Sequence, residues 1–149
     1  MRIAIASDHG GVELKKYIIE NIKKAEFIDC SSENFDTDDY PDFAFKVCQE
    51  VLNSNAEYGI LICGTGIGMS ITANKIKGIR CALVHSIDEA QLAKEHNDAN
   101  VIAFSKNTDK DLAVSMVEAF ITAKRDDNER HARRRQKVLD IEAYEYNEL

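Results

Sequence analysis

The sequence has no CxxC pair, no Gly-Lys-Ser or Gly-Lys-Thr, and no long apolar run. Its one proline is Pro41. Each absence removes a class of protein. A membrane span needs ~20 consecutive apolar residues, and no stretch approaches that. Cys30, Cys48, Cys63 and Cys81 are the only cysteines and lie far apart. Structural zinc sites use close pairs, so no metal is expected. Widely spaced thiols suit a reducing compartment. The N-terminal MRIAIASDHGG turns polar too soon for a signal peptide, so a cytoplasmic address is expected. Basic charge is also short. Lys and Arg number 19 against 26 Asp and Glu, a net charge of -7, which argues against a nucleic-acid partner. No internal repeat, low-complexity tract or linker interrupts the chain. Its 149 residues are expected to form one domain, 1–149.

What is present is a β-α rhythm. Short apolar runs at 2–7, 26–30, 58–63, 80–84 and 100–104 read as strands. Helical spacing covers 11–24, Pro41 to Asn53, the stretch from the glycines to Lys75, 87–95, 109–123 and 130–146. YGILIC at 58–63 is apolar throughout, as a strand covered on both faces must be. The alternation predicts a three-layer α/β/α, Rossmann-like domain with a five-stranded parallel sheet and an extra C-terminal helix. Ligands of such sheets bind beyond the carboxyl ends of the strands. That rule selects Ser7 to Gly11, Cys63 to Gly68, and His85.

CGTGIGM at 63–69 departs from both nucleotide fingerprints: GxGxxG is one residue short, and the Walker lysine is missing. Its glycines still let N–H groups approach an anion at a helix N-terminus. A thiol there is poised to ionise. Cys63 is thus either reactive or the last buried residue of a strand. In SDHGG, Asp8 is a helix cap or an acid-base group, and His9 an acid-base or anion-binding group. In HNDAN, His96 is either a proton-moving imidazole favoured electrostatically at a helix C-terminus or part of a C-cap with Asn97 as the turn residue. RHARRRQK at 130–137 carries five Lys or Arg and one His in an acidic protein. Arg130, Arg134 and Lys137 share a helix face, with Arg133 pointing elsewhere. That face is either solvated or a grip on a phosphate dianion, for which arginine's fork is well shaped.

SDHGG at 7–11, DYPDFA at 39–44, CGTGIGMSITANKIKGIRCAL at 63–83, HNDANV at 96–101 and RHARR at 130–134 occur in one order and spacing. In these motifs, essentially over its whole length, the chain resembles the type B ribose-5-phosphate isomerase family. That family also contains the galactose-6-phosphate and allose-6-phosphate isomerases. The resemblance implies an aldose–ketose isomerase of the pentose phosphate pathway. It would interconvert ribose 5-phosphate and ribulose 5-phosphate through a cis-enediolate, without metal or cofactor. It implies Cys63 as the base between C1 and C2, and Thr65 as its support or proton relay. His96 would open the furanose ring, and Asp8 would assist at the ring oxygen or hydroxyls. Tyr40 would line the sugar. Gly64, Gly66, Gly68 and Asn97 would hold the enediolate oxyanion, while His9, Arg130, His131 and Arg134 would hold the phosphate. It further implies a homodimer or homotetramer with active sites shared between subunits, so that Arg130 and Arg134 serve a neighbour.

Two stretches depart from the family pattern. Where family members carry a sequence like GARVIG, this chain has Ser105-Lys106-Asn107-Thr108-Asp109, with Asn107 at the arginine position and Lys106 beside it. Cys30-Ser31-Ser32 replaces a glycine after the second strand. The alternatives are an allose- or galactose-6-phosphate isomerase, the latter as one subunit of two, and a non-catalytic sugar-phosphate-binding module. The AYEYNEL tail after Glu142 has no assigned role.

Overall fold

The computed structural model describes residues 1–144. Five strands are laid down in the predicted places: β1 Arg2–Ser7, β2 Glu26–Asp29, β3 Tyr58–Cys63, β4 Cys81–Leu83 and β5 Val101–Ser105. Between and after them come α1 Val12–Asn21, α2 Tyr40–Leu52, α3 Ile67–Asn74, α4 Ile87–Asn97, α5 Lys110–Thr122 and α6 Glu129–Ala143. A short 3₁₀ turn, His9–Gly11, leads into α1. All neighbouring strands pair in parallel, in the order β2-β1-β3-β5-β4. The fold is α/β and Rossmann-like.

Strand side chains alternate between two helical layers. Ile3, Ile5, Ile60, Ile62, Ile102 and Phe104 pack with α1, α4 and α5 around Met116, Val117 and Phe120. Ala4, Ala6, Leu61, Cys63, Val101 and Ala103 face α2 and α3, with Phe43, Val47 and Met69. This second wall is built of small residues, which lets α2 approach the sheet closely. At Gly59 a methyl group would run 2.6 Å from Val47 Cγ1.

The sequence placed several boundaries differently. The helix expected over 11–24 begins with the 3₁₀ turn and stops at Asn21, because Ile22 turns extended and buries itself. The fourth strand is three residues rather than five. Arg80 is drawn out of it: its N–H donates to Asn100 Oδ1 at 2.8 Å and its Nε to the Asp98 carbonyl at 2.8 Å. The fourth helix runs two residues further than expected, to Asn97, where Asp98 closes it in the left-handed region (φ 49°). The last helix ends at Ala143, because Tyr144 turns extended as its cap; residues 145–146 of the expected stretch, with most of the tail, lie outside the described residues.

Strand order changes direction between β1 and β3, whose outgoing chains diverge. The crevice at such a switch point is where doubly wound sheets take ligands. Here it lies between the Asp8–Gly11 turn and the Cys63–Gly68 loop.

Candidate active site

Cys63 ends β3 and is 4 % exposed, with its side chain on the α2–α3 side of the sheet. Its carbonyl accepts from Lys106 N–H at 2.8 Å, which fixes the loop after β5 beside it. The three other cysteines are poor candidates. Burial pushes Cys48 and Cys81 up to about 12 and Cys30 up to about 11, so they remain protonated hydrophobes.

The loop after Cys63 is held from several sides. Ser105 Oγ donates to the Gly64 carbonyl at 2.8 Å. The exposed Thr65 accepts the Ile67 N–H through Oγ1 at 3.2 Å, a local hydroxyl turn just before the α3 cap at Gly66. Gly66 adopts φ 80°, and a methyl there would meet Phe104 Cα at 2.8 Å. A methyl on Gly64 would enter open space. Gly68 lies against the Tyr40 ring, which the start of α2 places over the first turn of α3. The loop therefore leads into the positive N-terminal end of α3, beside which Tyr40 lies.

Across the crevice, Asp8 N–H donates to the Ile62 carbonyl at 3.1 Å, and Asp8 Oδ1 accepts the Gly10 N–H at 3.1 Å. Asp8 is thus the cap of the 3₁₀ turn. His9 Nδ1 lies 2.8 Å from Asp38 Oδ1. That hydrogen bond raises the His9 pKa above its ordinary value, with burial opposing and the charges of Asp38, Asp8 and Asp36 adding to the rise. The Lys106 side chain crosses Gly10, with Cδ and Nζ each 3.0 Å from where a methyl on Gly10 would stand. His85, at the same edge after β4, pairs with Glu89.

The remaining candidates lie elsewhere. His96 and Asn97 end α4, four residues before β5 begins, and Cys63 is in register with Ser105, where β5 ends. They therefore sit at the amino edge of the sheet, opposite Cys63. His96 stacks on His131 of α6, with centroids 4.1 Å apart and planes at 11°. Arg135 ties α6 down by donating to the His96 carbonyl at 3.2 Å and the Asp126 carbonyl at 2.8 Å. His131 is 7 % exposed, and its pKa is lowered by burial and by His96, Arg130 and Arg134, against the pull of Asp126. Arg133 is taken by Glu129 at 2.8 Å, whereas no carboxylate among the described residues pairs with Arg130 or Arg134.

His96, Asp126 and His131 bring ligand-type atoms within 4.8 Å of one another. The two rings are nearly parallel, so their in-plane lone pairs do not converge on one point, and the trio is a poor chelator. No described helix is long and apolar enough to cross a membrane.

One chain thus assembles Asp8, His9, Tyr40, Cys63, Thr65, Gly64, Gly66 and Gly68 at one edge and His96, Asn97, Arg130, His131 and Arg134 at the other. Sequence inspection missed Asp38, one acid among many in a polar loop. It also missed Asp126 and Arg135, whose roles depend on a helix contact that no local pattern encodes.

Comparison with known proteins gives the class of the chain. A model of the Ribose/Galactose Isomerase family matches residues 3–138. The putative sugar phosphate isomerase YwlF of Bacillus subtilis is 44% identical over 149 residues, covering 95% of this chain and 97% of that one. A Clostridium thermocellum ribose-5-phosphate isomerase B structure superposes with TM-score 0.89 at 42% identity, covering 96% of this chain and 98% of that one. The Mycoplasma genitalium ribose-5-phosphate isomerase B, solved with bound ribulose-5-phosphate, gives TM-score 0.86 at 40% identity over 97% of both chains. The chain belongs to the ribose/galactose isomerase family, and it is an isomerase.

Proposed function

We propose that the chain, as a single sugar-phosphate isomerase domain, interconverts ribose 5-phosphate and ribulose 5-phosphate. The observation that carries this reading is the seat of Cys63, at the end of β3 beside the amide-lined start of α3. A proton next to a carbonyl is weakly acidic, so its removal needs a placed base and donors aimed at the oxyanion. In this reading the Cys63 thiolate takes the proton from C2 of the open-chain aldose. The electron pair moves into an enediolate, and the Cys63 thiol, whose proton exchanges with solvent during the enediolate's lifetime, delivers a proton to C1. Thr65 passes the hydroxyl proton from the C2 oxygen to the C1 oxygen. Amides from Gly64 to Gly68, with Asn97, hold the charge that develops on oxygen. His96 opens the furanose and Asp8 assists at the ring oxygen. Tyr40 lines the sugar. His9, Arg130, His131 and Arg134 hold the phosphate, whose binding keeps the reacting carbons in place.

Because the two groups of residues lie at opposite edges, the site is completed by a second copy of the chain. Ile67 and Ile71 on α3, and Val138, Leu139 and Ile141 on α6, are 39–74 % exposed and provide apolar surface for that contact. A homodimer meets the requirement, and a tetramer of such dimers meets it equally. The test is to mix Cys63→Ala and His96→Ala chains, each inactive alone. Recovery of about a quarter of wild-type activity is expected, since half the dimers are mixed and each has one intact site. No recovery would exclude sharing.

A second reading keeps the chemistry and changes the sugar. The Ser105–Asp109 stretch departs from the family pattern near the crevice, which favours checking six-carbon 6-phosphates. Rates on ribose 5-phosphate, allose 6-phosphate and galactose 6-phosphate, measured side by side, decide between them. A preference for ribose 5-phosphate would place the chain in the pentose phosphate pathway, for which a cytoplasmic address is proposed.

A further inference from the structure

Asp38 is nearly buried, with a side chain 6 % exposed, in the loop between β2 and α2. Its two oxygens are fully committed. Oδ1 accepts the His9 backbone N–H at 3.2 Å and lies 2.8 Å from His9 Nδ1. Oδ2 accepts Asn34 Nδ2 at 3.0 Å and the Phe35 N–H at 3.2 Å. Asn34 Nδ2 also donates to the Ser7 carbonyl at 3.0 Å, so the loop is pinned to the end of β1. The His9 side chain remains 46 % exposed.

We propose that Asp38 is a positioning residue for substrate, which clamps His9 by Nδ1 and backbone so that Nε2 faces the phosphate of the bound sugar. This rests on the assignment of His9 to the phosphate. A carboxylate at Nδ1 makes that nitrogen the donor. In the neutral ring Nε2 is then an acceptor, which repels a phosphate oxygen. Only the imidazolium places an N–H at Nε2. Asp38 therefore does two things: it fixes the orientation, and it favours the charged form that the phosphate needs. Burial alone would raise the Asp38 pKa, but the bonds from His9, Asn34 and Phe35 override it and hold the carboxyl below its ordinary value. The other charges facing His9 are Asp8 and Asp36, which favour the imidazolium. The Lys106 ammonium over Gly10 adds a cation on the ligand's side. His9 titrates above its ordinary value, so the imidazolium's contribution to phosphate binding is present below that ordinary value and lost as pH rises through the raised one.

The experiment titrates the histidines of the full-length protein by NMR, with His9→Gln supplying the assignment, and measures inorganic phosphate binding from pH 6 to 9. Asp38→Asn is expected to move the His9 titration to lower pH. It should leave phosphate affinity near wild type at pH 6 and weaken it about tenfold at pH 8. The KM for ribose 5-phosphate should follow the same profile while kcat changes less than about twofold. Asp38→Glu should restore part of the alkaline limb. An unchanged His9 titration, or phosphate affinity lost equally at all pH, would overturn the proposal. If Asp38→Asn does not fold, wild type carries the test: its affinity for the phosphate dianion must fall in step with deprotonation of His9, which titrates above its ordinary value while His131 titrates below its own. The phosphate measurement does not need isomerase activity, so failure of the isomerase assignment would appear separately, as normal phosphate binding without turnover.

Discussion

Gly64 and Gly66 stand two residues apart in the same loop and should fail in opposite ways. At Gly66 the backbone is left-handed, with φ 80°, and a methyl would lie 2.8 Å from Phe104 Cα, Phe104 C and Leu83 Cδ1. The left-handed conformation costs a non-glycine residue about 1–2 kcal/mol. Forcing a methyl against sheet backbone adds about 1–3 kcal/mol, since β5 cannot yield without disturbing its neighbours. Gly66→Ala should therefore lose about 3 kcal/mol, or ~6–12 °C in Tm at this chain length. Gly64 has no positive φ, and nothing lies within 4 Å of where its methyl would stand. Gly64→Ala should change stability by less than about 0.5 kcal/mol. Its methyl enters the space assigned to substrate, so kcat/KM should fall by ~10²-fold, as misplacements of about 1 Å at such sites do. Urea unfolding of both variants, with activity at saturating and limiting substrate, gives the comparison. Equal destabilisation, or a Gly64→Ala enzyme of wild-type activity, would refute the loop geometry and the site placed upon it.

The arginines of α6 should separate by their partners. Arg134→Ala should raise KM about tenfold or more, because no carboxylate among the described residues pairs with its guanidinium, which is assigned to phosphate. Arg133→Ala should change KM less than about twofold, since its partner is the exposed Glu129. Steady-state kinetics on the two variants checks the contrast. Lys106→Ala should raise KM by about tenfold with kcat little changed, and Lys106→Arg should retain affinity. An unaltered KM in Lys106→Ala would mean the ammonium over Gly10 does not meet the ligand.

The β-α alternation was legible because each strand is a short apolar run and each helix carries its own period. YGILIC is the clearest case: it must be covered twice, and it lies second-neighbour deep on both sides of the sheet. Strand order was not legible. β1 pairs with β3 and β3 with β5 across whole intervening helices, and no local pattern encodes such pairing. β4 was overestimated because Arg80 and Val84 flank the apolar run, whereas the hydrogen bonds of Arg80 to Asn100 and Asp98 decide where the strand begins. Of the site, the loop glycines and Cys63 could be read from the strand-end rule. The contact of His96 with His131 could not, since 35 residues separate them and only the docking of α6 on α4 brings the rings together. Asp38 was hidden for a similar reason. Its neighbours in sequence are equally acidic, and only the return of the loop to β1 singles it out.

Cys63 as the proton-transfer base is the central claim, and exchange in deuterated water tests it most directly. Wild-type protein with ribose 5-phosphate should incorporate deuterium at C2, and Cys63→Ala, with fold and phosphate binding intact, should reduce that exchange by at least ~10³-fold. A well-folded Cys63→Ala protein that exchanges at the wild-type rate would contradict the account.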